Sequence, residues 1–117
     1  MTHSMPTDGD IYEILRLELR RGSLILAVLG LLRQEHYGYT LRKALAAQGV
    51  DIDEGALYPM LRRLDSQGLL TSVWREEDKR NKRFYRLSPD GEGLLGRLEQ
   101  DWRAMNVALG KILQEKP

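Results

Sequence analysis

The chain has 117 residues, a formal net charge of +1 and no cysteine. This length suits one domain with a modest core, and the lack of cysteine excludes disulfides, thiolate metal sites and cysteine nucleophiles. No apolar run approaches the roughly 20 residues that a membrane-spanning helix needs, so we expect no membrane partner and a cytoplasmic location.

The N-terminal segment is expected to be disordered over residues 1–9, which are poor in apolar side chains. A helix is predicted from Asp10 to Arg21, with Asp10 as its cap. Its apolar residues, which include Ile11 and Leu15, spread over more than one face. A small domain cannot cover both faces, so we expect this helix to pack on a partner subunit.

A helix is predicted next, over Leu24 to Gln34. Apolar side chains occupy nearly all of its faces, so we expect it to be buried at the centre of the domain. Gly22-Ser23 is expected to separate it from the first helix, with Ser23 as its N-cap. A further helix over Tyr39 to Gln48 is stopped by Gly49, and residues 50–52 form a short extended link.

The next helix begins after Asp53 and ends at Gln67-Gly68, where a cap and a terminating glycine are favoured. Its apolar side chains recur at helical spacing: Leu57, Met60, Leu61 and Leu64. The opposite face carries small and basic residues, Gly55, Pro59 and Arg62, so its backbone is accessible. Pro59 either bends this helix or marks a shorter one.

A hairpin is predicted from two strand-like runs, Leu69 to Arg75 and Arg83 to Ser88, joined by a polar tip over Glu76 to Lys82. Residues 75–86 hold six basic and three acidic side chains, a net +3 that leaves −2 for the rest of the chain. Such a local patch is typical of a phosphate-binding surface, although a solvated tip has the same charge. We expect Trp74 to pack under the hairpin, and Tyr85 and Leu87 to face the core, with phosphate binding through the Tyr85 phenol as the alternative.

The last helix is predicted from Pro89, after a Ser88 cap, to about Leu113. Its apolar residues alternate in steps of three and four, as in a heptad seam: Leu95, Leu98, Trp102, Met105, Leu109 and Ile112. Together with Ile11 and Leu15, these residues form the predicted dimer interface. Pairing with a second copy accounts for a helix longer than the domain can cover.

The order of these elements is that of a winged helix-turn-helix. The predicted fold is therefore mainly α with a small β-hairpin, with a DNA-binding domain over residues 10–88 and a C-terminal dimerisation helix over residues 89–117. In such folds the third helix enters the major groove of DNA, and the hairpin reaches the backbone or the minor groove.

The sequence also resembles the PadR family of bacterial transcriptional regulators, in particular its smaller subgroup with one C-terminal helix. The resemblance covers Arg21 to about Leu109 and is carried by a combination of short motifs: Tyr37-Gly38-Tyr39, Gly55-Ala56-Leu57-Tyr58-Pro59, Arg63-Leu64, Gly68-Leu69, and Lys82-Arg83-Phe84-Tyr85-Arg86-Leu87-Ser88. It implies a homodimeric repressor whose terminal helices form the dimer interface and whose operator is palindromic.

The stretch Leu98-Glu99-Gln100-Asp101-Trp102 is similar to the C-terminal helix of the multidrug-sensing members. The similarity implies that Trp102 lines a pore at the dimer interface and stacks on a flat, often cationic, aromatic effector. Glu99 and Asp101 are carboxylates that favour a cation there. Packing within the interface is the alternative role of Trp102, and its seam position favours packing.

Motif position and helical spacing together predict which side chains meet DNA: Tyr39, Thr40, Lys43, Tyr58, Pro59, Arg62, Arg63, Lys79, Arg80, Lys82 and Arg83. Arg62 is the best candidate for bidentate contact with guanine. The other cations would supply salt-sensitive affinity for the backbone. Gly38 and Gly55 are expected to allow close backbone approach.

An enzyme is not expected, since the two histidines are isolated and no residue cluster has metal-ligand or phosphate-cradle spacing. No cofactor is expected either. The rival function is a winged helix that binds protein instead of DNA, with a merely solvated wing. DNA binding that weakens steeply with salt distinguishes the two functions.

Overall fold

The computed structural model describes residues 7–114, which form four helices and a two-stranded antiparallel hairpin. The elements in chain order are α1 (Asp8–Leu31), α2 (Gly38–Ala47), α3 (Glu54–Ser66), β1 (Leu70–Glu77), β2 (Arg80–Leu87) and α4 (Pro89–Gln114). This is the predicted winged helix-turn-helix followed by a long C-terminal helix. None of the helices in the described range is long and apolar enough to cross a membrane.

Helix α1 is continuous where a break was predicted. Gly22 and Ser23 lie inside it, so the predicted N-cap at Ser23 is wrong. A glycine in a helix costs only about 1 kcal/mol, less than the cost of ending one helix and nucleating another. The C-terminal half of α1 is moreover held by the core, where Val28 and Leu29 are fully buried.

The start of α1 also differs from the prediction. Thr7 caps the helix, and Asp10 lies in the first turn, where its carboxylate accepts from the Thr7 amide and hydroxyl groups. This reciprocal capping box satisfies free amide groups and moves the start to Asp8. Asp8 and Gly9 are therefore helical, not disordered, while residues 1–6 of the predicted disordered segment lie outside the described residues.

The core lies where α1, α2 and α3 meet the base of the hairpin. Its fully buried side chains are Val28 and six leucines, which come from three helices and from the residue that follows α1: Leu29, Leu32, Leu41, Leu45, Leu57 and Leu61. Tyr85 and Leu87 close it from β2, as predicted. Asp53 caps α3 through its carboxylate, and Gly68 follows α3 with a φ of +80°, so the predicted ends of this helix are confirmed.

The hairpin is longer and its turn tighter than predicted. Only Asp78 and Lys79 form the turn, both with positive φ, which is typical of a type I′ turn. The rest of the predicted tip pairs in the ladder, for example Glu77 with Arg80. Exposed charged residues can pair in this way because a two-stranded ribbon leaves their side chains in water. A bridge between His36 and Tyr85 joins the chain before α2 to the free edge of β2.

Helix α4 packs on the domain through its first turns. Leu95 is buried against the core of its own domain, which leaves little of its side chain for a partner subunit, and its place at the dimer interface stays a prediction. Leu98 is half-buried. The later seam residues remain exposed, including Met105 and Ile112.

Candidate nucleic-acid interface

Helix α3 presents the predicted basic face to solvent. Its buried side is Leu57, Leu61 and Leu64, which puts Pro59, Arg62 and Arg63 outside. The helix continues through Pro59, so the alternative of a shorter helix is wrong. Among the residues the structure describes, Arg62 and Arg63 form no ion pair, and both guanidinium groups are therefore free to meet an anion.

The ring of Tyr58 is seated on the start of α2. A Cβ atom at Gly38 would overlap the ring, so only glycine allows this contact. The glycine therefore brings two helices together. At Gly55, by contrast, an added Cβ would meet only the Asp53 carboxylate, at 3.4 Å.

The predicted DNA contacts on α2 are of two kinds. Some side chains are exposed, and one is already hydrogen-bonded within the fold. Tyr39 is 52% exposed, and Lys43 lies over its ring at 5.3 Å from the centroid. Thr40 is committed to the fold: its hydroxyl donates to the Tyr37 carbonyl at 3.0 Å and accepts from the Tyr37 amide at 3.2 Å. This cap already uses the Thr40 hydroxyl, so Thr40 offers less to DNA than Tyr39 does, and its contact with DNA stays a prediction. Partial burial lowers the pKa of the adjacent His36.

The cations of the hairpin fall into two groups. Lys79 and Arg80 are exposed at the tip and make no ion pair within residues 7–114. Lys82 instead lies over the ring of Tyr37, with Nζ 4.5 Å from the centroid and 3.4 Å from the hydroxyl. Desolvation lowers the pKa of Lys82, but the hydrogen bond to Tyr37 and the charges of Tyr37 and Glu77 outweigh it and raise the pKa above its usual value.

Arg83 is held inside a polar link between the hairpin and α3. Its Nη2 donates to the Asp65 carboxylate at 2.7 Å and to the Ser72 hydroxyl at 3.1 Å. Ser72 in turn donates to Asp65 at 3.1 Å. The prediction that Arg83 meets phosphate is therefore not supported by its position, since its charge is already neutralised. The sequence gives no sign of this pairing, because Asp65 lies 18 residues away.

Trp74 was expected to pack under the hairpin, and this prediction is wrong. It is 66% exposed, opposite Arg83 in the ladder, with the guanidinium carbon 5.7 Å from its ring centroid. The space beneath the hairpin is filled instead by Tyr85, whose pKa burial raises.

A groove of about 440 Å³ separates the hairpin from α3; we name it the wing groove. Its walls are aromatic and cationic, and include Tyr58, Arg62, Trp74, Asn81, Arg83 and Tyr85. It opens beside the exposed face of α3. The interface therefore combines a basic helix face, a basic hairpin tip and an aromatic groove between them.

Comparison with known proteins agrees with this architecture. The model of the transcriptional regulator PadR-like family matches residues 25–97, which is more than half of the chain. The chain belongs to the PadR-like family. A Mycobacterium tuberculosis transcriptional regulator, Rv3488, is 37% identical to this PadR-like chain over 79 residues, 68% of this chain and 71% of that protein.

Solved structures of transcriptional regulators share the fold. A PadR family transcriptional regulator from Eggerthella lenta is 41% identical with a TM-score of 0.85, covering 92% of this chain and 96% of that one. A transcriptional regulator from Clostridium thermocellum is 26% identical with a TM-score of 0.76, covering 83% of this chain and 99% of that one. The chain is therefore a transcriptional regulator of winged-helix type.

A second groove of this PadR-like regulator lies between α1 and α4; we name it the α1–α4 groove. It measures about 340 Å³ and is lined by Leu26, Ala27, Gly30, Arg33, Glu99 and Trp102, among others. Trp102 is 44% exposed. Two of the three predicted effector residues thus meet here, whereas Asp101 lies outside the lining, on another side of α4.

Glu99 in the α1–α4 groove already has cationic neighbours. Its carboxylate accepts from Arg103 at 2.8 Å and lies 3.6 Å from Arg33. The hydrogen bond from Arg103, together with the charges of Arg103 and Arg33, lowers the pKa of Glu99. The carboxylate is therefore ionised at neutral pH. Arg33 was missed in the sequence because it precedes Glu99 by more than sixty positions.

Proposed function

We propose that the chain is a repressor that binds palindromic operator DNA as a homodimer. Helix α3 enters the major groove, and the hairpin tip meets the flanking backbone. The observation that carries this proposal is the free basic face of α3, where Arg62 lines the wing groove beside the hairpin. A dimer that covers a palindrome within a promoter excludes RNA polymerase, so the expected effect is repression.

The side chains available for DNA form a smaller set than the sequence predicted. Arg62 and Arg63 on α3 offer guanidinium groups to bases and phosphates. Lys79 and Arg80 at the tip offer charge to the backbone. Tyr39, at the start of α2, and Lys43, one turn further on, are exposed and add phosphate contacts. Lys82 and Arg83 contribute mainly by fixing the hairpin.

The test begins with selection of bound duplexes from a randomised 30-base-pair library, followed by affinity measurement over a range of salt concentrations. We expect a palindromic consensus and a steep fall of affinity with salt, because each phosphate contact releases counterions. Arg80→Ala should reduce the slope of log K against log salt by about 2 per dimer, since roughly 0.9 is lost per contact.

Arg97→Ala is the matched control, since it removes an exposed positive charge on α4, away from the proposed interface. Its slope should equal that of the unmodified protein. Recovery of no duplex at low ionic strength would instead favour the rival function, a winged helix that binds protein.

We further propose that a planar aromatic cation enters the α1–α4 groove at the dimer interface and releases the operator. Support comes from the exposed indole of Trp102 beside the ionised Glu99. A cation gains from both the ring face and the carboxylate. Arg33 and Arg103 already interact with this carboxylate, so a cationic ligand competes with them. This competition limits the affinity that the carboxylate can add.

Tryptophan quenching by an acridine dye tests the effector site, because the chain has only two tryptophans. Trp74→Ala should keep the quenching and Trp102→Ala should lose it. Equal quenching in both variants would mean that the dye binds without specificity. Because acridines also intercalate into DNA, the dye should release the selected duplex from the unmodified protein but not from Trp102→Ala.

A further inference from the structure

We infer that Trp74 is a DNA-contacting residue whose indole packs on the deoxyribose backbone beside the major groove that α3 enters. This inference rests on the proposed DNA binding and deepens it. It assigns to the hairpin an apolar contact in addition to the charged tip.

The position of Trp74 is the first argument. The indole is 66% exposed, although two other aromatic residues of the hairpin, Phe84 and Tyr85, are buried. It lies on the hairpin face that lines the wing groove, opposite Arg62 and Tyr58 of α3. Arg62, on the exposed face of α3, lines the same groove, so a duplex held by α3 is expected to bring its backbone to this ring.

The indole also lies beside a fixed cation, its partner Arg83 in the ladder. The guanidinium of Arg83 is 5.7 Å from the ring centroid and is itself fixed by Asp65 and Ser72. An aromatic side chain steadied in this way loses little conformational freedom when it is covered. The link at Arg83 thus acts as a support for the exposed ring, which makes Arg83 a positioning residue.

The chemistry of the wing groove selects a nucleic-acid backbone as its occupant. The cations Arg62, Lys82 and Arg83 line it together with the rings of Tyr58 and Trp74. A backbone alternates phosphate with an apolar sugar edge, which matches the guanidinium of Arg62, unpaired within residues 7–114, and the indole of Trp74 in one groove. An aromatic ring on a sugar edge gains free energy by removing apolar area from water.

The experiment uses the full chain and the duplex selected above, carrying a fluorescent label for anisotropy. Trp74→Ala should weaken binding about tenfold or more, since each dimer loses two buried rings. The slope of log K against log salt should not change, because indole carries no charge. Trp74→Phe should retain part of the affinity. Arg80→Ala is the matched comparison, since it should reduce the slope.

A second measurement follows the indole directly. In Trp102→Phe, the remaining emission comes from Trp74, and it should shift to shorter wavelength when unlabelled duplex is added. If anisotropy reports binding while Trp74→Ala stays within twofold and the emission is unchanged, the inference is wrong and the DNA-binding proposal stands. Absence of binding by every variant and by the unmodified chain would overturn both.

Discussion

Asp65, Ser72 and Arg83 connect α3 to the hairpin through a closed set of hydrogen bonds. Asp65 Oδ2 accepts from both Ser72 and Arg83, at 3.1 and 2.7 Å. Charge-assisted bonds of this kind are stronger and more directional than those between neutral groups. The angle between the wing and the helix is therefore set by three side chains rather than by backbone contacts alone.

Asp65→Ala should destabilise the domain by about 1 kcal/mol, because the half-buried Arg83 guanidinium loses its counter-charge. Urea unfolding measures this loss. In a double-mutant cycle, Asp65→Ala added to Arg83→Ala should cost little more than Arg83→Ala alone. Asp101→Ala, which removes an exposed carboxylate of α4, should leave stability nearly unchanged. Additive losses at positions 65 and 83 would show that the two side chains are energetically independent.

Helix α4 is joined to the domain by a tight junction at its first turn. The Ser88 hydroxyl donates to the Gly68 carbonyl at 2.6 Å, and the Ser88 amide donates to the Leu69 carbonyl at 3.0 Å. The same hydroxyl accepts from the Gly91 amide at 2.9 Å. Gly91 passes so close to Leu69 that an added Cβ would overlap the Leu69 carbonyl. This junction fixes the direction in which α4 leaves the domain.

Gly91→Ala should lower the free energy of unfolding by roughly 1–3 kcal/mol, the usual cost of overpacking. Gly93→Ala makes the matched control, because nothing lies within 4 Å of a Cβ at that position. Alanine there should raise stability by about 0.5–1 kcal/mol, since it favours the helix. Denaturant unfolding of both variants gives the comparison, and losses of equal size would rule out the close approach as the cause.

Element by element, local signals decided what the sequence could predict. The ends of α3 follow from Asp53 and Gly68, whose effects act within a few residues, and both were predicted. The continuity of α1 was not, because its stability at Gly22 depends on distant packing. The hydrogen bonds of the half-buried Arg83 and the exposure of Trp74 were missed because no local sequence pattern indicates which face of a hairpin meets α3.

At the scale of the whole molecule, two helix ends project apolar side chains into solvent. The N-terminal half of α1 exposes Ile11 and Leu15, and the C-terminal half of α4 exposes Met105, Leu109 and Ile112, among others. Contiguous apolar surfaces of this kind are typical of subunit contacts. The proposed dimer covers both surfaces. Leu95, which the sequence also places in the seam, is buried by its own domain.

Met105→Glu or Leu109→Glu should convert the dimer to monomers, because either places a charge in an apolar interface. Sedimentation velocity measures the change in mass. Gln100→Glu adds the same charge on the opposite side of α4 and should leave the dimer intact. Dimers that persist in both seam variants would mean that α4 is not the interface.

Because α1 is one continuous helix, it moves as a single rigid element. Its 24 residues span about 36 Å, from the exposed apolar end to the core beneath α2 and α3. Tilting α1 by about 5° about one end moves its other end by about 3 Å, close to the 3.4 Å rise of one base-pair step. In the proposed dimer, a small change in the angle at which the two α1 helices cross would therefore change the distance between the two α3 helices. The change would be close to the length of one base-pair step of DNA.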